Sequence, residues 1–205
     1  MKKMVIIGGG GHAESVIDSI RQREEYEIVG YTDRSKMKME SPYLGTDDVL
    51  QEIFEKGVHY AAICVGYLGK SNIRDKLYRT AKNIGFQLPV IIDKTAILAE
   101  ETLIGEGSYV GKGVIINAGS TIGRMCIVNS GAVIEHGNEI GDFTHVSVNA
   151  VLCGNVLVED HVFVGANATV IQELSIHAHS TIGAGAVVLK DISEKMNIYG
   201  VWNNK

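Results

Sequence analysis

Residues 104–146 read IGEGSYVGKGVIINAGSTIGRMCIVNSGAVIEHGNEIGDFTHV, and every sixth position in this stretch is aliphatic: Ile104, Val110, Ile116, Ile122, Val128, Ile134, Ile140 and Val146. Extended in both directions, the beat runs from Ile92 to Val188 without interruption, seventeen aliphatic positions in all. Glycine follows the beat at 105, 111, 123, 141, 165 and 183, and the fourth residue after it is mostly small, as at Ser108, Ser120, Cys126, Ala132, Ala150 and Ala168. Neither the helix period nor the strand period produces this pattern, whereas hexapeptide repeats of a parallel β-helix do. Three hexads make one triangular coil of 18 residues, so residues one coil apart stack about 4.8 Å apart along the axis. The beat residues point inward, and a coil buries them only by stacking on its neighbours, so the end coils need caps.

Outward from the repeat, residues 1–91 alternate strand and helix signals. Met4 to Ile7 is a continuous aliphatic run, followed by Gly8-Gly9-Gly10-Gly11-His12 and an amphipathic stretch with Val16, Ile17 and Ile20. Tyr26 to Thr32 and His59 to Val65 read as further strands, Asp47 as the cap of a short helix, and Gln87 to Ile91 as a last strand leading into the repeat. The expected organisation is a small Rossmann-like α/β domain over 1–91, a β-helix over 92–193 and a C-terminal tail over 194–205, which can cover the far end of the prism.

Composition narrows the function classes. The net charge is −5, and residues 92–205 hold 6 Lys/Arg against 12 Asp/Glu, so no basic face is available to neutralise nucleic-acid phosphates. Three of those six cations, Lys190, Lys195 and Lys205, lie near the end, where a phosphate-bearing ligand on the repeat finds its countercharge. No apolar run is long enough to span a membrane. The start shows no secretory segment, and the expectation is a cytoplasmic protein. Three cysteines without a CxxC pair argue against a disulfide framework or a thiolate zinc site.

A perfect hexapeptide repeat behind a short glycine-rich α/β domain resembles the bacterial sugar acyltransferases of the sialic-acid O-acetyltransferase type, which include nucleotide-amino-sugar N-acetyltransferases. The resemblance covers essentially the whole chain. It implies a left-handed β-helix, against the usual right-handed crossover, a homotrimer, and acetyl-CoA as cosubstrate with no metal.

The glycine-rich turn satisfies GxGxxA between a strand and a helix, with Asp33 at the end of the next strand. Glycines let the backbone approach an anionic group, and the helix N-terminus supplies N–H donors. About 90 residues make only one mononucleotide half, which argues against NAD. The resemblance implies instead a nucleotide sugar, a uridine diphosphate derivative, with Gly10, Gly11 and His12 at the diphosphate and Asp33 at the base or ribose. Asn72 and Arg74 are further candidates for that site.

Five of the seven histidines, His136, His145, His161, His177 and His179, lie in the repeat. The stretch from Val133 to His145 resembles the family's active-site segment, which implies His136 as general base and His145 as a second histidine placing the acetyl group or a water. The coil ruler adds a physical reason. Position 154, one coil after His136 on the same column, is glycine, which leaves a gap and a backbone N–H able to serve as oxyanion donor. The family commonly has an acidic residue directly after this histidine, where this chain has Gly137; Glu135 or Glu139 is the possible substitute, although strand alternation points a direct neighbour elsewhere. A Gly-x-Pro-Ala motif usual in the tail is replaced by Gly200-Val201-Trp202-Asn203.

The favoured reading is an acetyl-CoA-dependent N-acetyltransferase acting on a nucleotide-linked amino sugar, expected to be UDP-linked, with coenzyme A along the prism between subunits and its phosphorylated end near Lys190. Its rivals are a sugar O-acetyltransferase and a non-catalytic hexapeptide scaffold. A metal-dependent β-helix enzyme would need His136, His145 and His161 to converge, and their spacing places them on different sides of the prism.

Overall fold

The computed structural model describes residues 1–69 and 72–203; Lys205 lies outside them. The chain opens with a parallel four-stranded sheet of β1 (Lys2–Ile7), β2 (Tyr26–Thr32), β3 (Tyr43–Gly45) and β4 (Tyr60–Ile63), in the order β3-β2-β1-β4. Helices α1 (Gly11–Arg23), α2 (Leu50–Glu55) and α3 (Ile73–Ile84) cover it. Met4 and Ile6 face α1 on one side of the sheet, and Val5 and Ile7 face α2 and α3 on the other. Strand β3 is an addition to the sequence reading: three residues with no aliphatic run, held by pairing to Tyr31 and Thr32. The strand expected at Gln87 to Ile91 is instead a single bridge from Gln87 to Tyr60, and Ile91 already belongs to the repeat.

From Ile91 the chain winds into a parallel β-solenoid of two-residue strands. Face I has seven strands, from Ile91–Ile92 to Asn197–Ile198; face II has seven, from Ile97–Leu98 to Val201–Trp202; face III has five, from Leu103–Ile104 to Ser175–Ile176. The pairing register is 18 residues, as in Val133 with Val151 and Ile134 with Leu152. The beat residues fill the interior, where Val110, Val128, Ile134, Val146, Leu152 and Val164 are fully buried.

The corners turn through positive φ, taken by glycines such as Gly107, Gly113, Gly137 and Gly185 and by non-glycine residues such as Met125, Phe143 and Asn155. On the corner between faces III and I, Phe143, His161 and His179 stack ring on ring at 5.0 and 4.8 Å, one strand spacing per coil. The last coil abandons the hexad count. Thr181 pairs with Asn197 and Val187 with Val201, sixteen and fourteen residues on, so the segment expected as a tail carries two further strands.

The α/β unit packs on face I through Ile91, Tyr109 and Ile127 and on the III/I corner through Met125 and Phe143. A buried polar knot ties the two parts together: Ser19 Oγ donates to Asp93 Oδ2 at 2.6 Å, and Thr95 donates to Asp93 Oδ1 from both its N–H and its hydroxyl. Among the described residues no helix is long and apolar enough to cross a membrane.

Candidate active site

The candidate residues fall into two groups, on different sides of the prism. The first lies at the C-terminal edge of the parallel sheet. Gly8 takes φ +101°, where a β-carbon would also come within 2.8 Å of Val65. Gly10 caps α1 without any side-chain hydrogen bond, and a β-carbon on Gly10 or Gly11 would meet nothing within 4 Å. The helix therefore presents its first N–H groups to an open space. Asp33 Oδ2 accepts the Gly9 N–H at 2.7 Å, which fixes its carboxylate at the rim. Together these residues line a crevice of about 470 Å³ that also takes in His12, Arg34, Asp47, Val65, Ile73 and Leu77.

His12 leaves the crevice toward the solenoid, its ring edge-on to Tyr109 at 5.4 Å. Burial, with help from the charges of Arg74 and His145, lowers its pKa to about 3, so it is neutral at physiological pH. His145, on face I, is 6% exposed. Its Nδ1–H donates to the Tyr67 carbonyl at 2.6 Å, which leaves Nε2 as the acceptor, 3.5 Å from the Asn129 amide nitrogen. Burial pulls its pKa down to about 4, against the Tyr67 hydrogen bond.

Arg74 is 2% exposed, buried between the crevice wall and the solenoid. It donates to the Val65 carbonyl at 2.6 Å and to the Met125 carbonyl, pinning the wall of the crevice to the solenoid. Its Nε has no hydrogen-bond partner among the described residues, and burial lowers its pKa to about 10. Asn72 is exposed and lines a separate hollow with Tyr67, Asp75, His161, His179 and Lys195.

The second group is on the corner between faces II and III. The strand Val133–Ile134 ends there, and Glu135 to Asn138 make the turn. The His136 imidazole lies over Gly154: a β-carbon at 154 would stand 2.5 Å from Nε2. The gap expected above His136 is thus filled by the ring itself. The Gly154 N–H has no acceptor within the chain among the described residues. Glu135 Oε2 is 3.5 Å from His136 Nδ1, because at a turn, unlike in a strand, consecutive side chains need not diverge. Glu139 is elsewhere, on face III in a shallow groove with Thr121, Leu157 and Ala178.

Gly137 has its own cause. It takes φ +68°, and Asn155 Oδ1 occupies the place of its β-carbon. Beneath the turn, buried Asn138 donates to the carbonyls of Glu135 at 2.6 Å and Cys153 at 3.0 Å. Ser120 Oγ donates to the Glu135 carbonyl as well, at 2.7 Å. Asn138 occupies a position where the repeat otherwise favours small residues, the one sequence signal that could have marked it. Lys190 falls on the His136 column three coils later, its Nζ 4.2 Å above the Trp202 ring.

Comparison with known proteins fits this arrangement. Residues 3–81 match the PglD N-terminal domain family. The structure of PerB from Caulobacter crescentus in complex with CoA and GDP-perosamine is 35% identical, with a TM-score of 0.89 over 97% of this chain and 92% of that one. This chain belongs to the nucleotide-amino-sugar N-acetyltransferase family. Another family member, the acetyltransferase domain of PglB from Neisseria gonorrhoeae in complex with acetyl coenzyme A, is 30% identical, with a TM-score of 0.87 over 96% and 95% of the two chains. The solenoid is accordingly the left-handed β-helix of these acetyltransferases. A comparison with curated proteins gives no match. Among the described residues no cluster of three or more His, Cys, Asp or Glu is arranged to hold a metal ion. Of the three histidines that a metal site would have required, His136, His145 and His161 stand on the II/III corner, on face I and on the III/I corner.

Proposed function

We propose that this chain transfers the acetyl group of acetyl-CoA to the amino group of a nucleoside-diphosphate-linked amino sugar, with His136 as general base. The observation that carries the proposal is the His136 imidazole lying against Gly154, whose N–H has no acceptor in the chain among the described residues. The amine attacks the thioester carbon while His136 takes its proton, and the Gly154 N–H stabilises the tetrahedral oxyanion. Collapse breaks the C–S bond, and the leaving thiolate takes the proton back from the imidazolium. Glu135 orients the ring and supports its charge, in the role first considered for either Glu135 or Glu139.

Coenzyme A lies along the II/III corner, with its phosphates at Lys190, about 14 Å from His136 at three coil spacings. The acceptor's diphosphate sits on Gly10, Gly11 and His12, with its ribose at Asp33. PerB was crystallised with a GDP-linked sugar, so the carrier is assigned here as a nucleoside diphosphate rather than the uridine diphosphate expected from sequence. Residues 1–91 form the nucleotide-sugar unit, 92–193 the acyltransferase unit and 194–205 the closing tail, in a cytoplasmic enzyme.

The II/III corner is opposite face I, which the α/β unit covers, so one chain cannot bring its own crevice to its own His136. A homotrimer supplies the missing half. Face II is the surface suited to it: its outward residues are Ile97, Ile115, Val133, Val151, Thr169, Val187 and Val201, and Ile97 and Val201 are 65% and 60% exposed. Face III mixes Leu103 and Leu157 with Thr121, Glu139 and Ser175, so it offers no continuous aliphatic surface.

The test is thiol release from acetyl-CoA with a panel of nucleotide amino sugars. His136→Ala is expected to lose about 100-fold or more in kcat while still binding acetyl-CoA. Unchanged turnover in that variant would remove His136 as the base, and the absence of any coenzyme A binding by the wild type would remove the acetyltransferase reading.

A further inference from the structure

The crevice is asymmetric in a way that speaks to the nucleobase. Its lining holds His12, whose ring turns toward Tyr109 of the solenoid, and an apolar patch of Val65, Ile73 and Leu77, with Asp47 and Arg34 completing the lining. A sugar that must reach the chemistry points toward His12, and the diphosphate occupies the open N-terminus of α1. The base is left the apolar patch of the lining, in the crevice that Asp47 also lines. The Asp47 carboxylate is held in place, since Oδ1 accepts a 2.7 Å hydrogen bond from Thr32, a residue with no solvent exposure. Oδ2 accepts nothing within the chain among the described residues. Asp33, the other carboxylate here, already takes the N–H groups of Gly9 and Arg34.

We infer that this crevice selects guanine, with Asp47 reading the N1–H and N2 amino group and Arg34 reading O6 and N7. The inference rests on the reading of the crevice as a nucleotide-sugar site. Guanine presents two adjacent donors on one edge and two adjacent acceptors on another, and a carboxylate and a guanidinium satisfy one edge each. Uracil presents a single donor flanked by two carbonyl oxygens, which sets an oxygen against Asp47 whichever way the ring is turned. Adenine offers a donor where guanine has O6 and lacks the N2 amino group, so Arg34 opposes it.

Calorimetric binding of GDP, UDP and ADP to the full chain tests the assignment. GDP is expected to bind at least about tenfold more tightly than UDP or ADP, the scale of a hydrogen bond to a charged group. Asp47→Asn keeps an acceptor for Thr32 and is expected to weaken GDP about tenfold while leaving UDP within twofold. Arg34→Ala, on the exposed rim, is expected to weaken GDP severalfold without disturbing the fold. UDP or ADP binding as tightly as GDP would overturn the guanine assignment and leave the nucleotide site standing. Equal loss of GDP and UDP in Asp47→Asn would overturn the role of Asp47, and no binding of any diphosphate would take the nucleotide site down with it.

Discussion

The ring of His136 occupies the volume that any side chain at position 154 would need, with Cε1 2.6 Å and Nε2 2.5 Å from the missing β-carbon. The backbone at Gly154 is not in the left-handed region, so alanine fits there in every respect except this one. Gly154→Ala is expected to fold normally and to lose about 100-fold in kcat through a displaced imidazole. Thiol-release kinetics beside a thermal melt would check it, and full activity would show that the ring position does not matter.

Glu135 stands beside His136 Nδ1, and Glu139 stands on another face. Glu135→Gln should therefore slow acetyl transfer by about three- to tenfold, the modest scale of a half-exposed carboxylate–imidazole pair. Glu139→Gln should stay within twofold. A larger loss from Glu139 than from Glu135 would reverse the assignment.

His12 and His145 are neutral in the folded chain down to about pH 3 and 4. Their unfolded pKa lies near 6.5, so below that value the unfolded state binds protons that the folded state refuses. Stability is complete above about pH 7 and falls as the pH drops from there toward 4, by up to about 3 kcal/mol for His145. Asp93 acts in the same direction at lower pH. Burial opposes its ionisation, but hydrogen bonds from Ser19 and Thr95 outweigh that and hold its carboxyl below the usual range, so its contribution is lost only as pH falls through that lowered value. Melting temperatures between pH 8 and 4 should show the fall, and His145→Asn should flatten it.

Face II predicts its own disruption. Val151→Lys places an ammonium in the middle of the aliphatic face and should turn a trimer into monomers with their far-ultraviolet circular dichroism intact. Light scattering on an eluting peak would measure this. A trimer that persists would move the interface to another face.

The repeat was legible because its inward positions admit only one kind of residue, and the eighteen-residue ruler led from His136 to Gly154 without coordinates. What stayed hidden was set by contacts that leave no period. Strand β3 exists only through its pairing with β2. The final coil closes in sixteen and fourteen residues, and no hexad records that. The strand rule that turns Glu135 away from His136 keeps Glu139 beside it as an alternative in the sequence, and that rule fails at a corner. Arg74 reads as a candidate for the nucleotide site, yet the carbonyls of Val65 and Met125 draw it inside. Asp47 reads as a helix cap, whereas Thr46 holds the N-cap position, without a capping side-chain hydrogen bond, and Asp47 is bound to Thr32.

The crevice and His136 of one chain lie across the prism from each other, so in the proposed assembly each working centre is shared property of two neighbours. A chain lacking His136 and a chain lacking Asp33 would each be inert alone. Unfolded and reassembled together, they would form mixed trimers in which some junctions pair an intact crevice with an intact imidazole. Defects in this enzyme would then count by junction, and two dead proteins could make a live one.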